Sequence, residues 1–273
     1  MKIICVILMS FLTASCTDMA FYAANATVDY DAMQIQKDIV YNDDHQLTLD
    51  VYAPQTSESK AVIVFLFGGG WHSGDKVNYA FVAERFVKHG YTVIIPNYRL
   101  YPEVTYPVFV EDSAHAAQWV HANYNEPIFL MGHSAGAYNA AMIAVNDAYA
   151  SNIEFAGLIG ISGPYNFTPS GKKYRNIFSN LDDFSVIYVN RYLDGYAPPS
   201  LLLHGRDDST VSMVNTRQLA QGLRRADIPV IDRYYDNMGH YKIMAALTNT
   251  FHESYEVEND ILAFLERYRS ALD

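Results

Sequence analysis

Along the chain, the spacing of apolar and polar residues changes period several times, and the changes follow a rhythm. Lys37 to Tyr41 and Gln46 to Tyr52 alternate apolar with polar residues around Asn42-Asp43-Asp44, which predicts two half-buried antiparallel strands joined as a hairpin. From Ala61 to Phe67 the run AVIVFLF is apolar without interruption, as in a strand covered on both faces of a mostly parallel sheet. Tyr79, Val82 and Phe86 share one helical face before His89-Gly90 and the strand Tyr91 to Ile95, so one strand-helix-strand unit is complete. A second follows, with a helix over Val110 to Asn123 leading into the strand Ile128 to Met131. Gly157 to Ile161, Ser200 to His204 and Val230 to Tyr234 read as further strands, and Val214 to Arg225 and Glu258 to Arg269 as helices. Strands alternating with helices predict a doubly wound α/β sheet.

Two stretches break the rhythm. Tyr165 to Pro199 is rich in Pro, Gly, Asn and Tyr and sits between two strands; an irregular connection of this length is usually functional, and it is expected to form a small lid. Its rings, Tyr165, Phe167, Tyr174, Phe178, Phe184, Tyr188, Tyr192 and Tyr196, are expected to roof a site and so to limit the size of what it admits. At the other end, Lys2 precedes an apolar run from Ile3 to Leu12, too short to span a bilayer and of the length of a signal-peptide core.

Composition narrows the picture. With 273 residues, 50% hydrophobic and 18% charged, the chain has material for one large core and little for extended disorder. A net charge of −11 argues against nucleic acid as a partner, because phosphate binding needs clustered Lys and Arg. A small-molecule substrate is expected. Only Cys5 and Cys16 carry thiols, so a chain cleaved before Cys16 has no pair to form a disulfide.

The chemistry gathers in the loops that follow strands. Gly132-His133-Ser134-Ala135-Gly136 has the form G-x-S-x-G, directly after an apolar strand and before a helix rich in Ala. That context suits a serine held on a sharp, strained turn. Phe67-Gly68-Gly69-Gly70-Trp71 also ends an apolar strand, and three successive glycines let backbone N–H groups approach a developing oxyanion. No Lys-Ser or Lys-Thr follows, and the G-x-G-x-x-G spacing is missing, so the turn does not read as a phosphate loop. His252-Glu253 lacks a second His, which speaks against a zinc hydrolase.

Together the FGGGW turn, the segment Asn97-Tyr98-Arg99-Leu100-Tyr101-Pro102 and the GHSAG elbow resemble the α/β-hydrolase carboxylesterases, in the esterase/lipase group near kynurenine formamidase. The likeness runs from about Lys37 to the C-terminus. In that family the glycine turn usually begins with His, where this chain has Phe67. The resemblance implies the α/β-hydrolase fold, with an N-terminal hairpin and the inserted lid at about 165–199. It implies Ser134 as nucleophile and an oxyanion hole from the amides of Gly69, Gly70 and Ala135. The family pattern H-G-x-x-D-x-x-V falls on His204, Gly205, Asp208 and Val211, which selects Asp208 over its neighbour Asp207 as the acid. His240, in Asn237-Met238-Gly239-His240 just past the last strand, occupies the place of the general base, ahead of His252 and His133. No cofactor or metal is implied.

Cleavage of esters of small or medium acyl groups through an acyl-enzyme is the expected reaction, the rings of the 165–199 insertion setting the size. An arylformamidase or amidase on the same residues is the alternative, and a non-catalytic, lipid-anchored binding protein on a hydrolase scaffold is the reading from another class. For location, Leu12-Thr13-Ala14-Ser15-Cys16 resembles a bacterial lipoprotein signal. The domain plan is then a signal peptide over 1–15, lipidated Cys16 opening a tether over 16–36, and a catalytic domain over 37–273 held to the cell envelope. An ordinary secretory signal, cut near Ala24 or Ala26, would leave a periplasmic or secreted protein.

Overall fold

The computed structural model describes residues 19–55, 58–179, 181–193, 197–252 and 256–270. Eight strands form one sheet in the order β1-β2-β4-β3-β5-β6-β7-β8, where β1 is Met33–Asn42, β2 Leu47–Pro54, β3 Val62–Leu66, β4 Thr92–Pro96, β5 Ile128–His133, β6 Gly157–Ile161, β7 Ser200–Gly205 and β8 Val230–Tyr235. β1 and β2 are the antiparallel hairpin, and β2 meets β4 antiparallel. The other neighbours pair in parallel, so this is the α/β-hydrolase arrangement. Every residue of β3, β4, β5, β6 and β7 is buried, which is why their sequences lack alternation. β8, at the sheet's margin, is only partly covered.

The helices that follow in the described residues are α1 Ala80–Val87, α2 Val108–Asn123, α3 Ala135–Val145, α4 Asp147–Ala150, α5 Gly171–Ile177, α6 Val214–Arg225, α7 Lys242–Ala245 and α8 Val257–Tyr268. α3 is buried at all its positions and touches β5 and β6. Its small residues permit that depth: a Cβ on Gly136 would stand 2.0 Å from the Leu66 carbonyl oxygen.

The start of the domain differs from expectation. β1 begins at Met33, inside the segment read as a tether, and pairs with β2 from Met33↔Pro54 through Gln36↔Val51. A bulge then intervenes, with Asp38 at φ 56°, and it breaks the period-two pattern that would have marked the strand as one unit. The Asp38 amide donates to Asp50 Oδ1 at 3.0 Å, and the Lys76 ammonium bridges the carboxylates of Asp38 and of fully buried Asp50. Further upstream, residues 19–25 are helical and docked on the domain. Phe21 packs on Tyr79 with centroids 5.0 Å apart, and the Asn25 side chain donates to Val77 O and accepts from Phe81 N, each at 3.2 Å. The expected signal peptide and Cys16 lie outside the described residues. Among those described, no helix is long and apolar enough to cross a membrane.

The insertion at 165–199 holds α5 and two short 3₁₀ turns, Phe184–Ile187 and Val189–Tyr192. Tyr165 and Phe178 are fully buried and serve the core of the segment. Phe167 and Tyr174 reach the cleft described below, so the insertion lines part of it. Tyr196 lies outside the described residues.

Candidate active site

The loops that follow β3, β5, β7 and β8 converge at the carboxyl ends of the parallel strands, where α/β sheets open a crevice. Ser134 stands between β5 and α3 at φ 54° and ψ −122°, a conformation unfavourable for a residue with a Cβ and a mark of stored strain. Its N–H donates to Ile161 O at 2.9 Å, and its carbonyl accepts from Tyr138 N at 3.1 Å. These bonds hold the backbone so that the side chain projects from the head of α3.

Ser134 Oγ lies 2.9 Å from His240 Nε2, and His240 Nδ1 lies 2.7 Å from Asp208 Oδ2. Asp208 is fixed by its own loop: Oδ1 accepts from Thr210 N at 2.9 Å and Val211 N at 2.8 Å. Its side chain is fully buried. Burial by itself opposes the charge, but hydrogen bonds from His204, His240 and the Val211 amide outweigh it and hold the Asp208 carboxyl far below the usual range. Asp207, the rival, is exposed, and its amide donates to Met238 O at 3.0 Å.

Two further histidines support the set, and only their motif positions were visible in the sequence. His204 is fully buried at the end of β7. Its Nε2 faces Val211 O at 3.0 Å and Asp208 Oδ2 at 3.3 Å, so it carries the proton there, and Nδ1 accepts from the Thr216 hydroxyl at 2.7 Å. His133 is held near pKa 3 by burial and by the adjacent His240. It is a neutral donor through Nε2 to the His240 carbonyl at 3.0 Å. The other two histidines weighed as bases differ in fate: His133 touches the site, whereas His252 lies 3.3 Å from Glu258 Oε2 on another loop.

Beside Ser134 runs the glycine turn. A Cβ on Gly68 would stand 3.2 Å from Ser134 Cβ, so this backbone passes against the serine. Gly69 has φ +136°, and a Cβ there would stand 1.8 Å from Ser73 O; its carbonyl accepts from His72 N and Ser73 N, both at 3.2 Å. Gly69, Gly70 and Ala135 all line the cleft with Ser134 and His240. Phe67, standing where the resembling family has His, stacks against Tyr98 at 4.4 Å and Tyr79 at 5.8 Å. Tyr98 donates its hydroxyl to Phe67 O at 2.7 Å. The Asn97–Pro102 segment thus braces the turn, with Tyr101 N on Trp71 O at 2.8 Å and Arg99 paired to buried Asp112 at 2.7 Å. Trp71 is itself fixed: Nε1 donates to Asn139 Oδ1 at 3.0 Å, and the ring packs on Phe167 at 5.8 Å and Phe178 at 5.1 Å.

The cleft holds about 1160 Å³. One wall comes from the insertion, with Phe167, Thr168, Ser170 and Tyr174. The other is more apolar and includes Ala20, Phe21, Ala24, Met244 and Phe251, so residues expected to lie in a tether form part of it. The sequence signal for this wall was the apolar pair Phe21-Tyr22 among alanines. Among the described residues, no group of three or more His, Cys, Asp or Glu is placed to hold a metal ion.

Comparison with known proteins fits this architecture. The solved structure of esterase B from Lactobacillus rhamnosis superposes with a TM-score of 0.81 at 19% identity, covering 99% of this chain and 96% of that one. A probable isoprenylcysteine alpha-carbonyl methylesterase of Arabidopsis thaliana is 28% identical over 226 residues, 70% of this chain and 48% of the relative. Kynurenine formamidase of Salmo salar is 30% identical over 143 residues, 50% of this chain and 49% of that protein. The chain thus spans about half the length of these curated relatives. The BD-FAE family profile matches residues 49–223, from β2 through the glycine turn, the serine elbow and Asp208 into α6, and the chain belongs to the BD-FAE family.

Proposed function

We propose that the protein is a serine esterase acting on small or medium acyl esters. The carrying observation is the unbroken relay from Ser134 Oγ through His240 to Asp208, at 2.9 Å and 2.7 Å, in a cleft with room for an organic substrate. His240 Nε2 takes the Ser134 proton as Oγ attacks the ester carbonyl carbon. Negative charge then collects on the carbonyl oxygen, and the amides of Gly69, Gly70 and Ala135 are its donors, each worth roughly 10²–10³ in turnover. His240 passes its proton to the departing alkoxide, which leaves as the alcohol. Water, deprotonated by the same imidazole, attacks the acyl-enzyme and restores Ser134. Asp208 stays ionised and stabilises the imidazolium.

Support for an ester as substrate comes from relatives named as a methylesterase and, in Mycobacterium tuberculosis, as esterase LipC. The match to a kynurenine formamidase favours a second reading, cleavage of an N-formyl aryl amine by the same residues. Both readings require covalent labelling of Ser134 by a fluorophosphonate, abolished in Ser134→Ala while the fold is retained. Labelling of Ser134→Ala at another serine would refute the assignment, and failure to label the folded wild type would favour the binding-protein reading. Parallel rates on p-nitrophenyl acetate and an N-formyl aryl amine separate esterase from formamidase. The proposed location is the envelope of a bacterium, through lipid on Cys16.

A further inference from the structure

Single exposed hydrophobic residues are ordinary on a protein surface, whereas a group around the mouth of a cleft marks a contact surface. Among the described residues eight large hydrophobic side chains are exposed, and five of them, Tyr22, Tyr30, Val77, Tyr241 and Phe251, line either the cleft or a groove beside it. Tyr241 and Phe251 line the cleft. Tyr22, Tyr30 and Val77 line a shallow groove that adjoins it and shares Asn78 with it. Met19, exposed as well, directly precedes Ala20 of the cleft lining. Exposure is high at 68% for Met19, 78% for Tyr22 and 65% for Tyr241, so these side chains are not core residues with a visible edge.

What this rim meets is indicated by the chain that enters it. Residues 1–18 precede Met19 and contain the apolar run Ile3 to Leu12 and then Cys16. Three residue steps separate Cys16 from Met19, at most about 10 Å of extended chain. A lipid on Cys16 would therefore bring the rim to the bilayer surface. Three of the five side chains are Tyr, whose apolar ring and polar tip suit the headgroup layer. A net charge of −11 disfavours attraction to anionic lipid, so the contact would be apolar and suited to a zwitterionic surface.

We propose that the rim formed by Tyr22, Tyr30, Val77, Tyr241 and Phe251 docks on a lipid surface, so that the cleft of Ser134 opens toward the headgroup layer. Substrate then arrives by lateral diffusion in the interface as well as from water. The docking itself does not depend on the esterase reading.

The test uses the full chain in vesicles of phosphatidylcholine brominated high on its acyl chains. A Tyr22→Trp variant places a reporter at the rim, and Val40→Trp places one at another exposed position on β1; the emission of the wild type is subtracted from each. Tyr22→Trp emission is expected to fall at least about twofold on vesicle addition, with Val40→Trp little changed. Equal quenching at the two positions, or none at Tyr22→Trp, overturns the proposal. So does protection of the rim by concentration-dependent dimerisation in sedimentation. A second measurement compares one short-chain ester presented in solution and in vesicles. Tyr22→Ser with Val77→Ser should leave the soluble rate unchanged and lower the vesicle rate about fivefold. An unchanged vesicle rate counts against docking, whereas a missing soluble rate in the wild type would count against the esterase reading and leave the quenching result to decide.

Discussion

His133 donates its Nε2–H to the main-chain carbonyl of His240 at 3.0 Å, with the two rings 4.7 Å apart. The residue before Ser134 thereby fixes the loop that carries His240, coupling the end of β5 to the chain beyond β8. Burial and the neighbouring His240 keep His133 near pKa 3, so the donor is neutral across the working range and adds no charge beside the imidazolium. Replacing it by Ala should lower kcat by roughly tenfold to a hundredfold, since small misplacements of a base cost that much, with little change in KM. Steady-state kinetics with matched thermal melts test this: a change confined to KM, or to Tm, would refute a positioning role.

Asp208→Asn should cost activity far more than Asp207→Asn, because only Asp208 meets His240 Nδ1. The fold lowers the Asp208 pKa, so it favours the ionised form. The stability this provides is full above the unfolded carboxyl value of about 4 and fades as pH falls toward the folded value. The Tm gap between wild type and Asp208→Asn should therefore be widest near pH 7 and narrow at pH 3. A gap independent of pH would show that the charge is not what the loop stabilises.

Acyl length is the clearest probe of the cleft. Each methylene buried in an apolar wall contributes about 0.8 kcal/mol, or about fourfold in kcat/KM, until the space is full. For p-nitrophenyl esters from acetate to palmitate, the rate constant should climb and then turn over. Ala24 lines the apolar wall, and Ala24→Trp should move the turnover to a shorter chain while sparing acetate. A climb continuing to palmitate would mean the walls do not bound the acyl group.

Much of this was legible because the central strands are buried on both faces and the loops of the candidate site begin at their ends. β6 and α6 have the bounds that the apolar run and helical spacing gave, and the motif register picked out Asp208, which stands against His240 Nδ1. Other parts were hidden for physical reasons. The bulge at Asp38 interrupts alternation, so β1 could be read only from Lys37. His204 and His133 act through hydrogen bonds to residues distant in sequence or to main chain, and spacing does not encode those. Aromatic density at 165–199 could not distinguish rings packed beneath, such as Tyr165 and Phe178, from those facing the cleft.

Lys76 provides a stability test away from the chemistry. It is buried between Asp38 and Asp50, and the Asp50 side chain has no exposure. Removing one partner of such a pair costs about 3–5 kcal/mol, because the other charge is left uncompensated. At this chain length Lys76→Met should lower Tm by roughly 10 °C. The double variant Lys76→Met with Asp50→Leu should recover much of the loss, and calorimetry reads both.

Residues 1–18 carry a prediction of their own. The small residues before Cys16 and the lack of any later Cys lead us to expect a diacylglyceryl group on Cys16, with several acyl chains giving stable anchorage. Mass spectrometry of the mature N-terminus decides it, and an unmodified start near Thr27 in the soluble fraction would refute it. Such a start would also remove Phe21 and Ala24 from the cleft.

The indole of Trp71 joins two parts of the chain that evolution could otherwise vary separately. It follows the glycines of the turn, hydrogen-bonds Asn139 of α3, and is clasped by Phe167 and Phe178 of the insertion. Exchange of the 165–199 segment between related enzymes would therefore not be a modular graft. A donor segment lacking rings at those two places would leave the indole unsupported and loosen the turn next to Ser134. Specificity and turnover are mechanically linked in this scaffold, and directed evolution of one would have to carry the other along.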